Sequence, residues 1–190
     1  MQKDKNNLFI ISGPSGAGED SIINGLKKIL PIESIITTTT RKMRPGEKQK
    51  FPYYFITREK FKKGIKKNKF FEYALEYNNN YYGVTKQEIQ RVRNSNKIGI
   101  WKIEYKGVIT AKKLMPNITA ILITAPMNVL KKRIKSRSRV SEKYLKERME
   151  YTGLWQKHYN IYDYKIVNKE NKLDTAIHET AKIILENLKK

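Results

Sequence analysis

Between Leu8 and Leu30 the chain reads LFIISGPSGAGEDSIINGLKKIL, and this stretch restricts the fold more than any other. The apolar run Leu8 to Ile11 enters a loop carrying Gly13, Gly16 and Gly18. The chain leaves that loop with Ile22, Ile23, Leu26, Ile29 and Leu30 at helical spacing. The order is strand, glycine-rich loop, helix. Glycines let backbone N–H groups turn inward around an anion, and the helix N-terminus adds its partial positive charge. Gly13 and Gly18 are spaced as in a phosphate-binding loop, whose pattern continues with Lys and then Ser or Thr. Here Glu19 and Asp20 follow instead. A tight strand-to-helix turn with two dipole-favoured acids is the simpler alternative. Three glycines with Pro14 and Ser15 in so short a run exceed what such a turn needs, which favours phosphate binding.

A chain of 190 residues can bury one substantial core, and nothing in its composition marks a second independent domain. No apolar run approaches a membrane span, and the N-terminal MQKDKNN lacks the apolar centre of a signal peptide. The expectation is a soluble protein of the cytoplasm. With no cysteine there is no disulfide, thiol nucleophile or Cys-based metal site, and His158 and His178 are too few for a zinc centre. A formal charge of +22 raises nucleic acid or a membrane surface as partners. The lysines, however, are spread along the whole chain, and the aromatic residues do not cluster with them. Most are therefore read as solvated surface, and the positive potential suits an enzyme that gathers phosphates.

Pro31 stops the first helix, and the β-branched run Ile35 to Thr40 predicts a strand. Arg41 and Arg44, three apart before Pro45-Gly46, are either a bidentate phosphate clamp or an exposed basic turn. A polar helix is expected from Lys86 to Asn94. A buried parallel strand follows from Ile98 to Glu104, ending at Gly107, with Lys102 and Glu104 on one face near its carboxyl end. Ile118 to Thr124 predicts another strand, and Pro126 precedes a helix. The last helix carries Leu173, Ala176, Ile177, Thr180, Ile184 and Leu188 at core spacing.

The run TTTTRKMRPGE from Thr37 to Glu47 is followed by Tyr53-Tyr54-Phe55, Phe70 to Ala74 and Asn80 to Gly83. With the loop GPSGAG, these blocks resemble the guanylate kinase family over almost the whole chain. The resemblance implies an α/β P-loop nucleoside monophosphate kinase fold, a parallel sheet flanked by helices. It implies a single domain over 1–190: a core of 1–36, 91–130 and 151–190, a GMP-binding insertion at 37–90 and a lid at 131–150. The implied reaction is Mg²⁺-dependent phosphoryl transfer from ATP to GMP.

Carried over residue by residue, Arg41, Arg44, Tyr53 and Tyr82 would hold the GMP phosphate, and Glu72 the N1–H and amino edge of guanine. Thr37 would touch the base, with Glu104 beside it. Val84 stands where a hydroxyl is usual, and Thr85, which follows it, is the candidate GMP-binding residue there. On the ATP side are Ser15, Gly16, Ala17, Gly18, Glu19, Asp20 and Ser21, with Asn168 near the adenine. Asp20 and Ser21 are the candidate Mg²⁺ ligands. Arg133, Arg137 and Arg148 would come from the lid to the transferred phosphoryl group, and His158 is taken as structural.

Three departures matter. The turn Leu75 to Asn80 is one residue longer than usual, Lys106 replaces a Gln, and Lys102 replaces an acid on the strand facing the loop. Together with Glu19 in the loop, the last suggests a charge swap in which Lys102 serves the phosphates and pairs with Glu19. The alternatives are an impaired domain that binds GMP or a phosphorylated partner without transfer, and a kinase acting on dGMP.

Overall fold

The structure, a computed structural model, describes residues 7–76, 79–137 and 141–188, with the side chain of Arg137 outside that description. The lengthened turn after Leu75 and the tip of the expected lid therefore fall partly outside the described residues. Strand β1 (Leu8–Ser12) is buried along its whole length. It lies between β7 (Ile98–Lys102) and β8 (Thr119–Thr124), with β2 (Ile32–Ser34) and β9 (Tyr164–Val167) outermost, all parallel. A central parallel strand must be apolar on both faces, which is why its sequence is a continuous apolar run.

Alternate β1 side chains serve opposite layers. Phe9 and Ile11 pack with Ile22, Ile23 and Leu26 of α1 (Glu19–Ile29) and with Ala176, Ile177 and Ile184 of α7 (Leu173–Leu188). Leu8 and Ile10 pack with Ile89 and Val92 of α3 (Lys86–Arg93) and with Val108 and Ala111 of α4 (Tyr105–Leu114). The result is an α/β sheet covered by helices on both faces. None of the described helices is long and apolar enough to cross a membrane.

Ile29, Leu173 and Leu188, expected in the core, are instead exposed. Each lies in a terminal turn, past the stretch of its helix that meets the sheet. Helical spacing identifies a face but not how far along the helix its neighbours extend.

The β-branched run from Ile35 to Thr40 is not one strand. β2 ends at Ser34, the chain crosses over, and Thr38–Thr39 form β3 of a second sheet. That sheet has the order β4 (Tyr54–Phe55), β3, β6 (Tyr81–Thr85), β5 (Phe70–Leu75). The crossing is held by the Ile35 N–H donating to the Ile100 carbonyl at 2.9 Å and the Ile36 N–H donating to Glu88 Oε1 at 2.8 Å. Glu88, buried, also accepts from Arg91 at 2.8 Å. Side-chain branching favours extended backbone but does not choose between two sheets.

Strand β7 likewise ends at Lys102, earlier than expected. Glu104 is the residue before α4, and Gly107 lies in that helix's first turn.

Candidate active site

The register pairs Ile11 with Lys102 and Ser12 with Leu122, so β1 delivers its loop to the carboxyl ends of its neighbours. Ligand sites of open parallel sheets form there. The buried Ser12 hydroxyl donates to the Ile103 carbonyl and lies 3.1 Å from the Tyr162 hydroxyl, fixing where the loop begins.

Two of the loop glycines are required sterically. A Cβ on Gly13 would stand 2.3 Å from the Ile123 carbonyl oxygen. Gly18 has φ of 96°, and its Cβ would meet Asn168 Nδ2 at 2.5 Å. Asn168 Nδ2 donates to the Ala17 carbonyl at 2.8 Å. Arg133, from α5 (Met127–Arg137), donates to the Gly16 and Ala17 carbonyls at 3.4 Å and to the Lys169 carbonyl at 3.3 Å. Both side chains therefore brace the loop through its carbonyls.

In front of the loop is a cavity of about 260 Å³. The core contributes Gly13, Glu19, Lys102, Ile103, Glu104 and Gly107 to its walls. The second sheet and its approaches contribute Thr37, Arg44, Tyr53, Glu72, Ala74, Glu76 and Tyr82, and α6 (Glu142–Gln156) contributes Arg148. Residues far apart in sequence thus place cations, phenols and carboxylates around one space.

Not every candidate lines it. Arg41 pairs with Glu47 at 2.8 Å and lies 5.5 Å over the Tyr53 ring, one layer behind. Thr85, the candidate for the hydroxyl missing at Val84, accepts from the Glu88 N–H at 3.2 Å, so caps α3, and is not among the residues lining the cavity. Ser15, Gly16, Ala17 and Gly18 form the loop itself, and Ser21 is exposed on α1. His158 stacks on Tyr105 with ring centroids 4.7 Å apart.

The ion pair at the loop differs from the expected one. Lys102 Nζ lies 2.6 Å from Asp20 Oδ1, so Asp20 takes the contact anticipated for Glu19. Successive helical residues point about 100° apart, and the step from 19 to 20 turns one acid toward the cavity and the next toward the end of β7. Desolvation opposes the Lys102 charge, but Asp20, with smaller contributions from Tyr53 and Glu19, holds its pKa above the ordinary value.

Three acids are shifted upward. Burial, against the attraction of Lys102, pushes Glu19 to about 8. Burial also raises Glu72 to about 7, with help from Glu76 and against a hydrogen bond from the Val84 backbone. Partial desolvation raises Glu104, an otherwise exposed residue, against the hydroxyl of Tyr151, which donates to Glu104 Oε2 at 2.7 Å.

Sequence reasoning missed Tyr151, Ala74 and Glu76. The signals were present: Tyr151 is three residues beyond Arg148 on one helix, and Glu72, Ala74 and Glu76 share the strand period of two.

A parallel sheet whose central strand feeds a phosphate-type loop, facing a cavity of arginine, lysine, tyrosine and carboxylates, defines a nucleotide-binding protein of the P-loop kinase class. The guanylate kinase family model matches residues 5–187. The guanylate kinase of Pseudoalteromonas translucida (strain TAC 125) is 36% identical over 187 residues, covering 97% of this chain and 89% of that one. That of Escherichia coli (strain K12) is 34% identical over 181 residues, covering 93% and 86%. The crystal structure of guanylate kinase from Anaplasma phagocytophilum superposes with a TM-score of 0.76 at 23% identity, covering 99% of this chain and 89% of that one, and supports the fold. The chain belongs to the guanylate kinase family, and is an enzyme of the kinase class of transferases.

Proposed function

We propose that the chain transfers the terminal phosphoryl group of Mg·ATP to GMP, giving ADP and GDP. The observation that carries this reading is the cavity itself. Arg44, Tyr53, Tyr82, Lys102 and Arg148 line one space with the buried carboxyl of Glu72 and the more exposed one of Glu104. A dianionic phosphate suits one or two guanidiniums with phenol donors, and a carboxylate pair suits the N–H edge of guanine. Arg41 would reinforce the phosphate side from behind Tyr53.

In the reaction an oxygen of the GMP phosphate attacks the γ-phosphorus, the bond from that phosphorus to the β–γ bridging oxygen breaks, and ADP leaves with its electron pair. No general base is needed, because the attacking phosphate is already anionic. The protein's part is to align the two nucleotides, neutralise charge with Arg148 and the neighbouring cations, and exclude water by closing the 37–90 insertion and the 131–150 lid over them. Ser15 to Gly18 would cradle the ATP phosphates, with Arg133 and Asn168 keeping that cradle in shape.

The divalent ion enters as part of the Mg·ATP substrate, with phosphate oxygens and water as its main ligands. Asp20 and Ser21 remain its proposed protein contacts: Asp20 meets Lys102 through Oδ1 and is largely exposed, and Ser21 is exposed on α1.

The test is ADP formation from Mg·ATP in a coupled assay, with GMP, dGMP, AMP or no acceptor. Turnover with GMP well above the other acceptors is expected. Saturable GMP binding without turnover would instead support the binding-only reading, which the acid Glu19 at the usual lysine position of the loop favours. Comparable rates with dGMP would widen the acceptor class.

A smaller effect tests the contact between α6 and Glu104. Tyr151→Phe removes the hydroxyl donor to Glu104, whose carboxylate faces cavity water, so the loss should be about 1 kcal/mol. A roughly fivefold rise in KM for GMP, with kcat nearly unchanged, is the expected steady-state result.

A further inference from the structure

We propose that Lys102 is the phosphate-binding cation of this loop, delivered from the facing strand and positioned there by Asp20. The inference rests on reading the cavity as a phosphoryl-transfer site. The loop has the glycine spacing of a phosphate cradle but no lysine where that pattern requires one, and its helix end alone offers only about half a unit of positive charge. The fold supplies the missing cation from elsewhere. Lys102 ends the strand paired with β1, opposite Ile11, two residues before the loop begins. Its ammonium reaches the first turn of α1, at Asp20, and it lines the same cavity as Gly13 and Arg148.

The character of the ion pair supports a ligand-facing role. The Asp20 side chain is 68% exposed and that of Lys102 39%, so the pair is open to solvent and is a weak structural tie. An ammonium carries three donors, and Asp20 takes one. The remaining two are available to phosphate oxygens at the cavity mouth. Asp20 restricts a long, flexible side chain to the loop, so it acts as a positioning residue, and Glu19 occupies the vacated lysine position without pairing directly with Lys102.

The experiment compares wild type, Lys102→Ala and the double variant Lys102→Ala with Glu19→Lys, the second change restoring a lysine at the position the loop pattern calls for. Thermal melting checks folding, steady-state kinetics give kcat/KM for Mg·ATP and KM for GMP, and titration calorimetry with ADP measures phosphate-side affinity without turnover. Lys102→Ala should lose at least a hundredfold in kcat/KM for Mg·ATP and about tenfold in ADP affinity, with KM for GMP little changed. The double variant should recover at least tenfold of each loss. Unchanged ATP kinetics and ADP affinity in Lys102→Ala would overturn the proposal, and so would losses that Glu19→Lys leaves unrescued in a folded protein. Should wild type show no GMP-dependent turnover, the kinase reading fails by itself. The ADP titration then still decides for or against Lys102, because equal affinity in wild type and Lys102→Ala overturns its role.

Discussion

Replacing Arg148 by alanine should lower kcat for GMP-dependent ADP formation about a thousandfold, close to 4 kcal/mol of transition-state stabilisation. Arg148 comes from α6 to line the cavity, its guanidinium 5.0 Å over the Tyr144 ring. Charge on a transferring phosphoryl group spreads over three equatorial oxygens, and a guanidinium fork brought in by a closing lid meets that charge most strongly in the transition state. The KM values for ATP and GMP should therefore shift much less than kcat. Arg148→Lys keeps the charge but loses the planar fork, and should recover only a small part of the rate. A kcat within tenfold of wild type for the alanine variant, measured at saturating substrates, would remove Arg148 from the mechanism.

Glu72 carries the second large effect, in two readouts of opposite sign. It is 7% exposed, and burial raises its pKa from 4.5 to about 7. A carboxyl whose pKa is raised by folding binds its proton more tightly in the folded state. Stability is therefore lost as pH rises from about 4.5 to about 7, and stays level above that. The full penalty is about 3 kcal/mol. Glu72→Gln removes the titrating group, so its melting temperature should exceed that of wild type at pH 8, with the advantage vanishing near pH 4.

The same substitution should damage function. A carboxylate facing guanine accepts two N–H donors, whereas an amide turns one acceptor into a donor. A fall of roughly a thousandfold in kcat/KM for GMP is expected. Wild-type KM for GMP should also fall between pH 6 and 8 as the carboxyl ionises, a dependence the glutamine variant would lack. A glutamine variant no more stable at pH 8, and unaltered in its use of GMP, would show that Glu72 is neither strained by burial nor in contact with the base.

Glu72 also marks how far the sequence reaches. Its position in the block Phe70 to Ala74 pointed to a base-facing acid, but its burial came from long-range packing, Gly107 among its neighbours: a Cβ added there would stand 3.5 Å from Glu72 Oε2. That neighbour lies in α4, on the far side of the chain's passage through the core sheet.

The sequence by itself determined the central strand, the glycine loop and the amphipathic helix after it, because periodicity and glycine placement are local properties of consecutive residues. It also determined most residues of the cavity wall, through blocks whose order resembles one family. Only the tertiary structure decided the rest. Whether the Ile35 to Thr40 run joined one sheet or two turned on hydrogen bonds to Ile100 and Glu88. That Thr85 caps a helix turned on the start of α3. Whether Lys102 met Glu19 or Asp20 turned on the rotation of α1 against β7 across 82 positions of chain. Such pairings are set by how packed elements are rotated and registered against one another, and no local pattern encodes that angle.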